Sequence, residues 1–209
     1  MHWCETAEKL TATRILPDGV VEWAVEHITD GLFIDGGACV GLFCIPVLLA
    51  RPEARCVAFE PNPAAAAALC EMAVLNGVVD RLVVHSVALS DYEKAQAHLK
   101  VSNVALQCGL STLGKPGRFG AYHTELVRTE ILDHYGLAPQ LIKFDLEGGE
   151  LYALSGATGT IMSHRPSIIT EAFEPNTAQF GYEPQEIETF LEALGYHCQR
   201  GQEDLFCTI

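Results

Sequence analysis

The sequence predicts an α/β fold in which helices cover both faces of a mostly parallel sheet. Short β-rich runs alternate with helix-like segments, and strands are expected near residues 32–36, 55–60, 82–88, 140–145 and 167–173. The tail GYHCQRGQEDLFCTI divides into two β-like runs around a polar turn that contains glycine, which predicts a closing antiparallel hairpin. With 209 residues, 49% of them hydrophobic, the chain suits one large domain over residues 1–209.

The clearest helix is expected between the second and third strands. Asn62 is a favourable N-cap, and Pro63 fits the first turn of a helix. The segment AAAAALCEMAVLN consists of strong helix formers, and Gly77 suits the C-terminal stop. These signals predict a helix over this segment.

Three further helices are expected, and one contains a proline. VGLFCIPVLLA follows the first strand as a buried helix in which Pro46 requires an early start, a kink or a broken turn. Downstream, GGELYALSGATGTIM is typical of one helix and PQEIETFLEAL of another, which Gly195 ends.

Two segments stand apart from this alternation. Residues 1–30 are interpreted as an N-terminal helical segment. Residues 91–127 carry little periodicity and several turn signals, so they are expected to form an inserted loop or hairpin. A long insertion of this kind often shapes a pocket.

The composition argues against several classes of partner and site. A formal net charge of −14 opposes the binding of nucleic acid, which needs lysine and arginine to replace counterions. The apolar runs are too short and interrupted to cross a membrane, and MHWCETAEKL lacks the features of a secretory signal, so a cytoplasmic location is expected. The eight cysteines are interpreted as reduced, buried hydrophobic residues, and zinc is not supported.

The stretch FIDGGACVGLF is the first candidate for a binding site. Gly36, Gly37 and Gly41 follow a predicted strand, as in folds that bind nucleotide cofactors. Asp35 would repel a pyrophosphate there, but it suits a cation. S-adenosylmethionine (SAM) carries an ammonium group and a sulfonium and no phosphate, and backbone N–H groups of the turn are expected to receive its carboxylate.

A second carboxylate strengthens this hypothesis. Glu60 ends the next predicted strand in CVAFEPNP, 25 residues after Asp35. An acidic residue about 20 residues on, at the tip of the second strand, is where such folds bind ribose hydroxyls.

Six segments in order make the sequence resemble the FkbM family of SAM-dependent methyltransferases. They are FIDGGACVGLF, AFEPNP, LNG, VALSD, LIKFDLEGGELYALSGA and IITEAFEP, which together span roughly residues 31–175. The resemblance implies a Rossmann-like class I methyltransferase fold with a seven-stranded sheet whose last strand is antiparallel. It also implies O-methylation, since members act on hydroxyls of sugars, polyketide products and other small molecules.

The resemblance extends to individual positions. Asp35, Gly37 and Gly41 match the D-x-G-x-x-x-G cofactor turn of the family, and Glu60, followed by Pro61, matches its ribose-binding acid. The segment that flanks the adenine is matched by Ala88, Leu89 and Ser90. One position departs from the family pattern, because Cys39 stands where the family usually has asparagine.

The candidate catalytic residues lie in LIKFDLEGGE. A hydroxyl is a poor nucleophile while protonated, so a base or a metal ion is expected at the carboxyl edge of the sheet. Asp145 is the first candidate for the base and Glu147 the second, although either carboxylate could instead cap the helix that starts near Gly149. In the alternative mechanism, Asp145 and Glu171 on adjacent strands would hold a Mg²⁺ ion. Lys143 is expected to extend to the surface or to pair with a nearby acid.

Three functions remain open from the sequence alone. The first is a SAM-dependent O-methyltransferase for a small molecule or carbohydrate. The second is an NAD-dependent oxidoreductase, because GGACVG loosely fits a dinucleotide-binding pattern. The third is a non-catalytic SAM-binding module. The acceptor and the oligomeric state have no local sequence signal.

Overall fold

The computed structural model describes residues 19–103, 111–115 and 121–209. Its first half alternates helices and strands in the order α1 (Val20–His27), β1 (Leu32–Gly36), α2 (Cys44–Ala50), β2 (Arg55–Phe59), α3 (Pro63–Leu75) and β3 (Leu82–His85). The helical segment expected over 1–30 is described only from residue 19 onward, where it contains α1. Its first 18 residues lie outside the described residues.

Four strands follow, and then the alternation resumes. The four are β4 (Ala88–Leu89), β5 (Lys94–Ser102), β6 (Ser111–Thr112) and β7 (Tyr122–Glu130). The remaining elements are β8 (Pro139–Phe144), α4 (Glu150–Ser155), α5 (Thr158–His164), β9 (Ser167–Glu171), α6 (Glu174–Thr177), α7 (Pro184–Ala193), β10 (His197–Arg200) and β11 (Asp204–Thr208). Two 3₁₀ turns, Val79–Arg81 and Leu132–Tyr135, precede β3 and β8.

The main sheet has seven strands in the order β10-β11-β9-β8-β1-β2-β3. Strands β1, β2, β3, β8 and β9 are parallel, while β11 runs antiparallel to both β9 and β10. This topology confirms the predicted fold class. Because the chain continues from β1 to β2 on one side and reaches β8 on the other, the sheet has a switch point between β1 and β8. Ligands of α/β folds bind at such a point, beside the carboxyl ends of the strands.

Two hydrophobic clusters cover the two faces of the main sheet. Phe33 belongs to one cluster and its neighbour Ile34 to the other, as the alternation of side chains along a strand requires. On the next strand over, Leu141 and Ile142 divide in the same way. The central strands are therefore buried on both faces, which explains why they are nearly continuous apolar runs in the sequence.

The predicted capping of α3 is confirmed. The Asn62 side chain accepts a hydrogen bond from the backbone N–H of Ala64 at 3.1 Å, and Pro63 occupies the first helical position. The observed start of helix α2 explains how the helix accommodates Pro46. It begins only at Cys44, so the proline lies in the first turn, where its missing N–H has no intrahelical partner to lose.

The prediction of a single helix over GGELYALSGATGTIM is wrong. The segment forms α4 and α5, with a break at Gly156 and Ala157. A Cβ atom at Gly156 would lie 2.2 Å from the carbonyl oxygen of Ser90, so only glycine permits this close approach. The Asp133 carboxylate accepts the backbone N–H groups of Gly159 and Thr160 at 2.8 and 2.7 Å, which stabilises a new helix start.

A smaller sheet, in the order β4-β7-β5-β6, is built from the segment between β3 and β8. Strands β5 and β7 form an antiparallel pair, and β6 pairs with the end of β5. Its own apolar cluster contains Ala97, Leu99 and Val127. The described part of residues 91–127, which was expected to form an inserted loop or hairpin, thus contains the strand β5, the short strand β6 and the start of β7.

The expectation that all cysteines are reduced is wrong for two of them. Cys198 and Cys207 form a disulfide. The reason is the register of the C-terminal hairpin, which places these two residues directly opposite each other on β10 and β11. Burial is confirmed for Cys44 and Cys56, whereas Cys70 is exposed. None of the helices in the described part of the chain has the length and hydropathy that crossing a bilayer requires.

We expect reduction of the Cys198–Cys207 disulfide to lower the free energy of unfolding by about 1–3 kcal/mol. The bond closes a short loop, with nine residues of sequence separation, so the entropy that it removes from the unfolded chain is modest. Urea unfolding with and without reductant measures the effect. The double variant Cys198→Ser, Cys207→Ser is the control, and a further loss on its reduction would contradict this assignment.

Candidate functional site

A cleft opens at the carboxyl ends of β1, β2 and β8, at the switch point of the sheet. Its lining consists of Gly37, Glu60, Pro61, Ala88, Leu89, Leu99, Ser111, Leu113, Asp145, Leu146, Gly149 and Phe180. We call it the cofactor cleft. Six of these residues were predicted from the sequence as cofactor-binding or catalytic: Gly37, Glu60, Pro61, Ala88, Leu89 and Asp145. The other predicted residues, Asp35, Gly36, Gly41, Ser90 and Glu147, are not among the residues that line it.

Sequence reasoning missed the opposite wall of the cleft. Leu99 and Ser111 lie on strands of the smaller sheet, Leu113 directly follows β6, and Phe180 follows α6. Their contribution depends on how the inserted segment folds back over the main sheet, which no local motif encodes. Only the length of the insertion indicated that it shapes a pocket.

The glycine turn is tightly fitted between β1 and β8. Gly37 has a φ of +77°, and a Cβ atom there would lie 1.8 Å from the backbone oxygen of Asp145. The N–H groups of Gly37 and Ala38 donate to the carbonyl of Phe59 at 2.9 and 3.2 Å, and that of Gly41 donates to Ala38. The expectation that backbone N–H groups of this turn receive a ligand carboxylate is therefore wrong for these three groups. Each of them already donates a hydrogen bond within the protein.

Glu60 ties the glycine turn to the second strand. It is 5% exposed, and its two carboxylate oxygens accept the backbone N–H groups of Cys39 and Asn62, each at 2.8 Å. Hydrogen bonds from two backbone groups orient the carboxylate at the wall of the cleft. The side chain is thus held rigidly where the sequence predicted the acid that binds ribose hydroxyls.

Cys39 has an unusual backbone conformation. Its φ is +49°, in the left-handed region that most residues other than glycine avoid and that asparagine tolerates best. The asparagine that the family usually has at this position therefore suits the turn through its backbone as well as its side chain. Cys39 is a departure that costs conformational energy.

We expect Cys39→Asn to raise the free energy of unfolding by about 0.5 kcal/mol, because asparagine adopts this conformation more readily. For a chain of this size the change corresponds to an increase in Tm of about 1–2 °C. Cys39→Ala is the matched control, since alanine has no such preference. An equal gain in both variants would show that loss of the thiol, and not the backbone conformation, is responsible.

Asp35, Lys143 and Asp145 form a row of charges that leads from the interior to the cleft. The Nζ atom of Lys143 lies 3.7 Å from Asp35 and donates to Asp145 at 3.2 Å. Asp35 is fully buried, whereas the side chain of Asp145 is 34% exposed. The pairing of Lys143 with nearby acids is confirmed. Asp35 is not among the residues that line the cleft, and Lys143 links it to Asp145, which is.

The buried members of this row have shifted pKa values. Burial raises the pKa of Asp35, and the charge of Lys143 lowers it in part. Neither oxygen of Asp35 accepts a hydrogen bond of normal geometry from the described residues, although the nearby Cys44 also lowers its pKa. Burial disfavours the charged form of Lys143, but the carboxylates of Asp145 and Asp35 outweigh it and raise the pKa of the ammonium group. The lysine therefore remains charged in the interior.

Asn176 joins the two other acids predicted near the site. It is 1% exposed, and its amide nitrogen donates to Glu147 at 2.9 Å and to Glu171 at 2.8 Å. Burial and then the charges of Asp145, Glu150 and Glu147 raise the pKa of Glu171 to about 10. Glu171 is consequently protonated at neutral pH. Asn176 had no signal in the sequence, because its bond to Glu147 joins residues 29 apart and no local motif marks it as the link between the two acids.

Neither Asp145 nor Glu147 caps α4. Instead Glu150, the first residue of that helix, accepts the backbone N–H groups of Leu146 and Gly148 at 2.6 and 3.2 Å. Glu150 is fully buried, and burial raises its pKa to about 7, although these backbone hydrogen bonds oppose the shift. Its role is to fix the loop that carries Asp145 and Glu147.

We expect Glu150→Gln to reduce the pH dependence of stability between about pH 4.5 and pH 7. A carboxyl whose pKa rises from 4.5 to about 7 on folding stabilises the protein at low pH, and that contribution is lost as the pH rises through 7. The difference is on the order of 3 kcal/mol. Urea unfolding at pH 5 and pH 8 measures it. Glu71→Gln, on the exposed side of α3, should retain the wild-type dependence, and an identical profile for both variants would exclude Glu150 as the source.

No group of three or more histidine, cysteine, aspartate or glutamate residues is arranged to hold a metal ion within the described ranges. Asp145 and Glu171, the pair considered for Mg²⁺, influence one another electrostatically. Their neighbour Asn176 already donates a hydrogen to Glu171. Glu147 also raises the pKa of Glu171 and shares the amide group of Asn176, but these acids do not form a group that could hold a metal ion within the described residues.

Comparison with known proteins gives matches to one domain family and to several solved structures. The Methyltransferase FkbM domain matches residues 35–198. The structure of methyltransferase FkbM from Methylobacillus flagellatus KT is similar, with a TM-score of 0.59 and 16% identity, over 87% of this chain and 44% of that one. The present chain thus spans less than half the length of that protein. No curated protein matches the chain.

Two further solved structures share the fold at similarly low sequence identity. The O-methyltransferase from Bacillus cereus, in complex with S-adenosylhomocysteine (SAH), has a TM-score of 0.55 and 12% identity, over 99% of this chain and 87% of that one. A putative rRNA-methylase from Clostridium thermocellum has a TM-score of 0.54 and 11% identity, over 90% of both chains. At these identities the likeness shows the fold alone. The domain match covers most of the sequence, including the glycine turn, Glu60 and Asp145, and the chain therefore belongs to the FkbM methyltransferase family.

Proposed function

We propose that the protein is a SAM-dependent O-methyltransferase that acts on a hydroxyl group of a small molecule or carbohydrate. The observation that carries this proposal is the shared cleft. Gly37 of the glycine turn, Glu60 after the second strand and Asp145 after β8 line one space at the switch point of the sheet. Membership of the FkbM family supports methyl transfer at this place.

The lining of the cofactor cleft fits SAM better than a dinucleotide. Pro61, Ala88 and Leu89 offer apolar surface for an adenine ring, and Glu60 offers acceptors for ribose hydroxyls. Among the described residues that line this cleft there are two carboxylates, Glu60 and Asp145, and no lysine or arginine to bind a pyrophosphate. This charge pattern supports SAM over the alternative of NAD.

Asp145 is the proposed general base. When bound, SAM supplies an electrophilic methyl group, and the acceptor hydroxyl must give up its proton as the new bond forms. Asp145 lines the cleft, and its Oδ2 atom receives a hydrogen bond from the buried ammonium group of Lys143 at 3.2 Å. That contact holds the carboxylate in position. Glu147 is the second candidate, but its carboxylate accepts a hydrogen bond from Asn176 and the residue does not line the cleft.

Calorimetry with S-adenosylhomocysteine and with NAD tests the cofactor. We expect S-adenosylhomocysteine to bind, Glu60→Gln to weaken its binding at least 10-fold through the ribose contact, and NAD not to bind. Binding of NAD without S-adenosylhomocysteine would overturn the proposal in favour of an oxidoreductase.

Turnover against a panel of hydroxylated acceptors, followed by mass spectrometry, tests the reaction. Asp145→Asn should retain S-adenosylhomocysteine binding and lose about 100-fold or more in rate, the scale of general base catalysis. Activity that survives dialysis against EDTA excludes the Mg²⁺ mechanism with Asp145 and Glu171. Binding of S-adenosylhomocysteine with no turnover on the whole panel would favour a non-catalytic module.

The charge of the chain supports a small acceptor rather than RNA. One similar structure is a putative rRNA-methylase, but a formal net charge of −14 works against the binding of a phosphate backbone. We therefore place RNA behind small hydroxylated molecules as the acceptor. An equilibrium binding measurement with single-stranded and hairpin RNA should show no affinity at physiological salt.

A further inference from the structure

A second cleft adjoins the cofactor cleft and has the opposite charge. Its lining includes Tyr92, Lys100, Gly114, Lys115, Tyr152 and Phe180, and its volume is about 540 Å³. Four residues, Leu89, Leu113, Gly149 and Phe180, line both clefts. A molecule in the second cleft would thus lie against the same wall that closes the first. We call the second one the lysine cleft.

The two clefts have lining residues of opposite charge, although the chain as a whole is acidic. The protein has 13 lysine and arginine residues and 27 aspartate and glutamate residues. Among the described residues, the lysine cleft is lined by Lys100 and Lys115 and by no acidic side chain. The cofactor cleft, by contrast, is lined by Glu60 and Asp145. A strongly acidic protein therefore has two lysine residues in the lining of a cleft beside its proposed methyl donor.

The segment that carries these lysines is hydrogen-bonded to the loop that carries Asp145 and Glu147. Lys100 on β5 pairs in register with Thr112 on β6. The Thr112 hydroxyl donates to the backbone oxygen of Glu147 at 3.0 Å and accepts the N–H of Gly114 at 3.0 Å. Lys115 follows directly. The backbone that carries the two lysines is consequently connected to the loop that begins at Asp145.

The wall between the lysines and the cofactor cleft is close-packed and aromatic. A Cβ atom at Gly114 would lie 2.7 Å from the ring of Phe180, so the two segments meet with no space for a side chain. The ring centroids of Phe180 and Tyr152 are 5.8 Å apart, and Tyr92 lines the same cleft. Aromatic faces beside ammonium groups suit a ligand that combines a ring with a negative charge.

We propose that the lysine cleft binds the anionic group of the acceptor, a phosphate or a carboxylate, so that the substrates are acidic hydroxylated compounds. This inference rests on the proposed methyl transfer in the adjoining cleft. Lysine ammonium groups bind such anions through charge-assisted hydrogen bonds. The same charges discriminate against neutral hydroxylated compounds of similar shape.

Calorimetry on the protein loaded with S-adenosylhomocysteine tests the lysine cleft, with phenyl phosphate, benzoate and benzyl alcohol as probes. We expect phenyl phosphate or benzoate to bind at least 10-fold more tightly than benzyl alcohol, and the stronger of the two identifies the anion. Lys100→Gln and Lys115→Gln should each weaken anion binding about 5-fold and leave benzyl alcohol unchanged. Lys94→Gln is the matched control, because Lys94 is exposed at the start of β5 and lines neither cleft.

Equal affinity for the anions and benzyl alcohol would overturn the inference. It would also be overturned if Lys94→Gln weakened anion binding as much as the other two variants, since general surface charge would then be responsible. Failure of S-adenosylhomocysteine to bind would count against the proposed function instead. In that case the same titrations on the unloaded protein still decide whether the lysine cleft binds anions.

Discussion

Lys143→Met is expected to lower the free energy of unfolding by about 3–5 kcal/mol. Lys143 is 3% exposed, and its ammonium group lies 3.7 Å from the fully buried carboxylate of Asp35. Methionine fills a similar volume but carries no charge, so Asp35 would remain in the interior without a counter-charge. Urea unfolding at pH 7 measures the loss. Lys94→Met, at an exposed position, should change stability by less than about 0.5 kcal/mol.

The second substitution Asp35→Asn separates a lost charge pair from lost packing. The double variant Lys143→Met, Asp35→Asn contains no uncompensated buried charge, so we expect it to recover most of the stability that Lys143→Met loses. The loss in Lys143→Met should also be smaller at pH 5 than at pH 8. Burial raises the pKa of Asp35, and a group with a raised pKa stabilises the folded protein at low pH. Additive losses in the double variant would contradict the pairing.

The same charge row links stability to the proposed reaction. Lys143 donates to Asp145 at 3.2 Å, so a variant without the ammonium group also loses the contact that orients the proposed base. We therefore attribute to Asp35 an indirect role, through the position of Lys143. This differs from the role predicted from the sequence, in which Asp35 faces the cationic cofactor itself.

The displacement of Asp35 from the cleft follows from the alternation of side chains in a strand. Phe33 and Asp35 are two residues apart on β1, so they point to the same face of the sheet. Phe33 belongs to the buried cluster on that face, and Asp35 is likewise fully buried rather than exposed in the cleft. The glycine turn and the approximate positions of the main-sheet strands were predictable because their signals are local. The partner of Asp35 was not, because the register of β1 with β8 brings Lys143 beside it.

The unpredicted parts of the site depend on contacts between distant residues. Asn176 reaches Glu147 across 29 residues of sequence, and Thr112 reaches the same residue across 35. The hairpin that pairs Cys198 with Cys207 was predicted, but its register decides which residues face each other. Pattern and propensity determine which segments form strands and helices, whereas these contacts require the packed chain.

Gly37→Ala is expected to lower the free energy of unfolding by about 3–5 kcal/mol, far more than Gly77→Ala. Both glycines have a positive φ, +77° at Gly37 and +68° at Gly77, so alanine incurs a similar backbone cost of about 1–2 kcal/mol at either position. They differ in their surroundings. A Cβ atom at Gly37 would lie 1.8 Å from the backbone oxygen of Asp145, whereas at Gly77 nothing lies within 4 Å.

The clash at Gly37 is also expected to damage the site, because relieving it moves the backbone of Asp145 away from the glycine turn. We expect S-adenosylhomocysteine to bind at least 10-fold more weakly to Gly37→Ala and normally to Gly77→Ala, measured by calorimetry below the unfolding temperature of each variant. A loss of stability without a loss of affinity would show that the turn relaxes away from the cleft. Equal losses of stability in the two variants would mean that backbone conformation alone, and not the contact between β1 and β8, requires glycine at position 37.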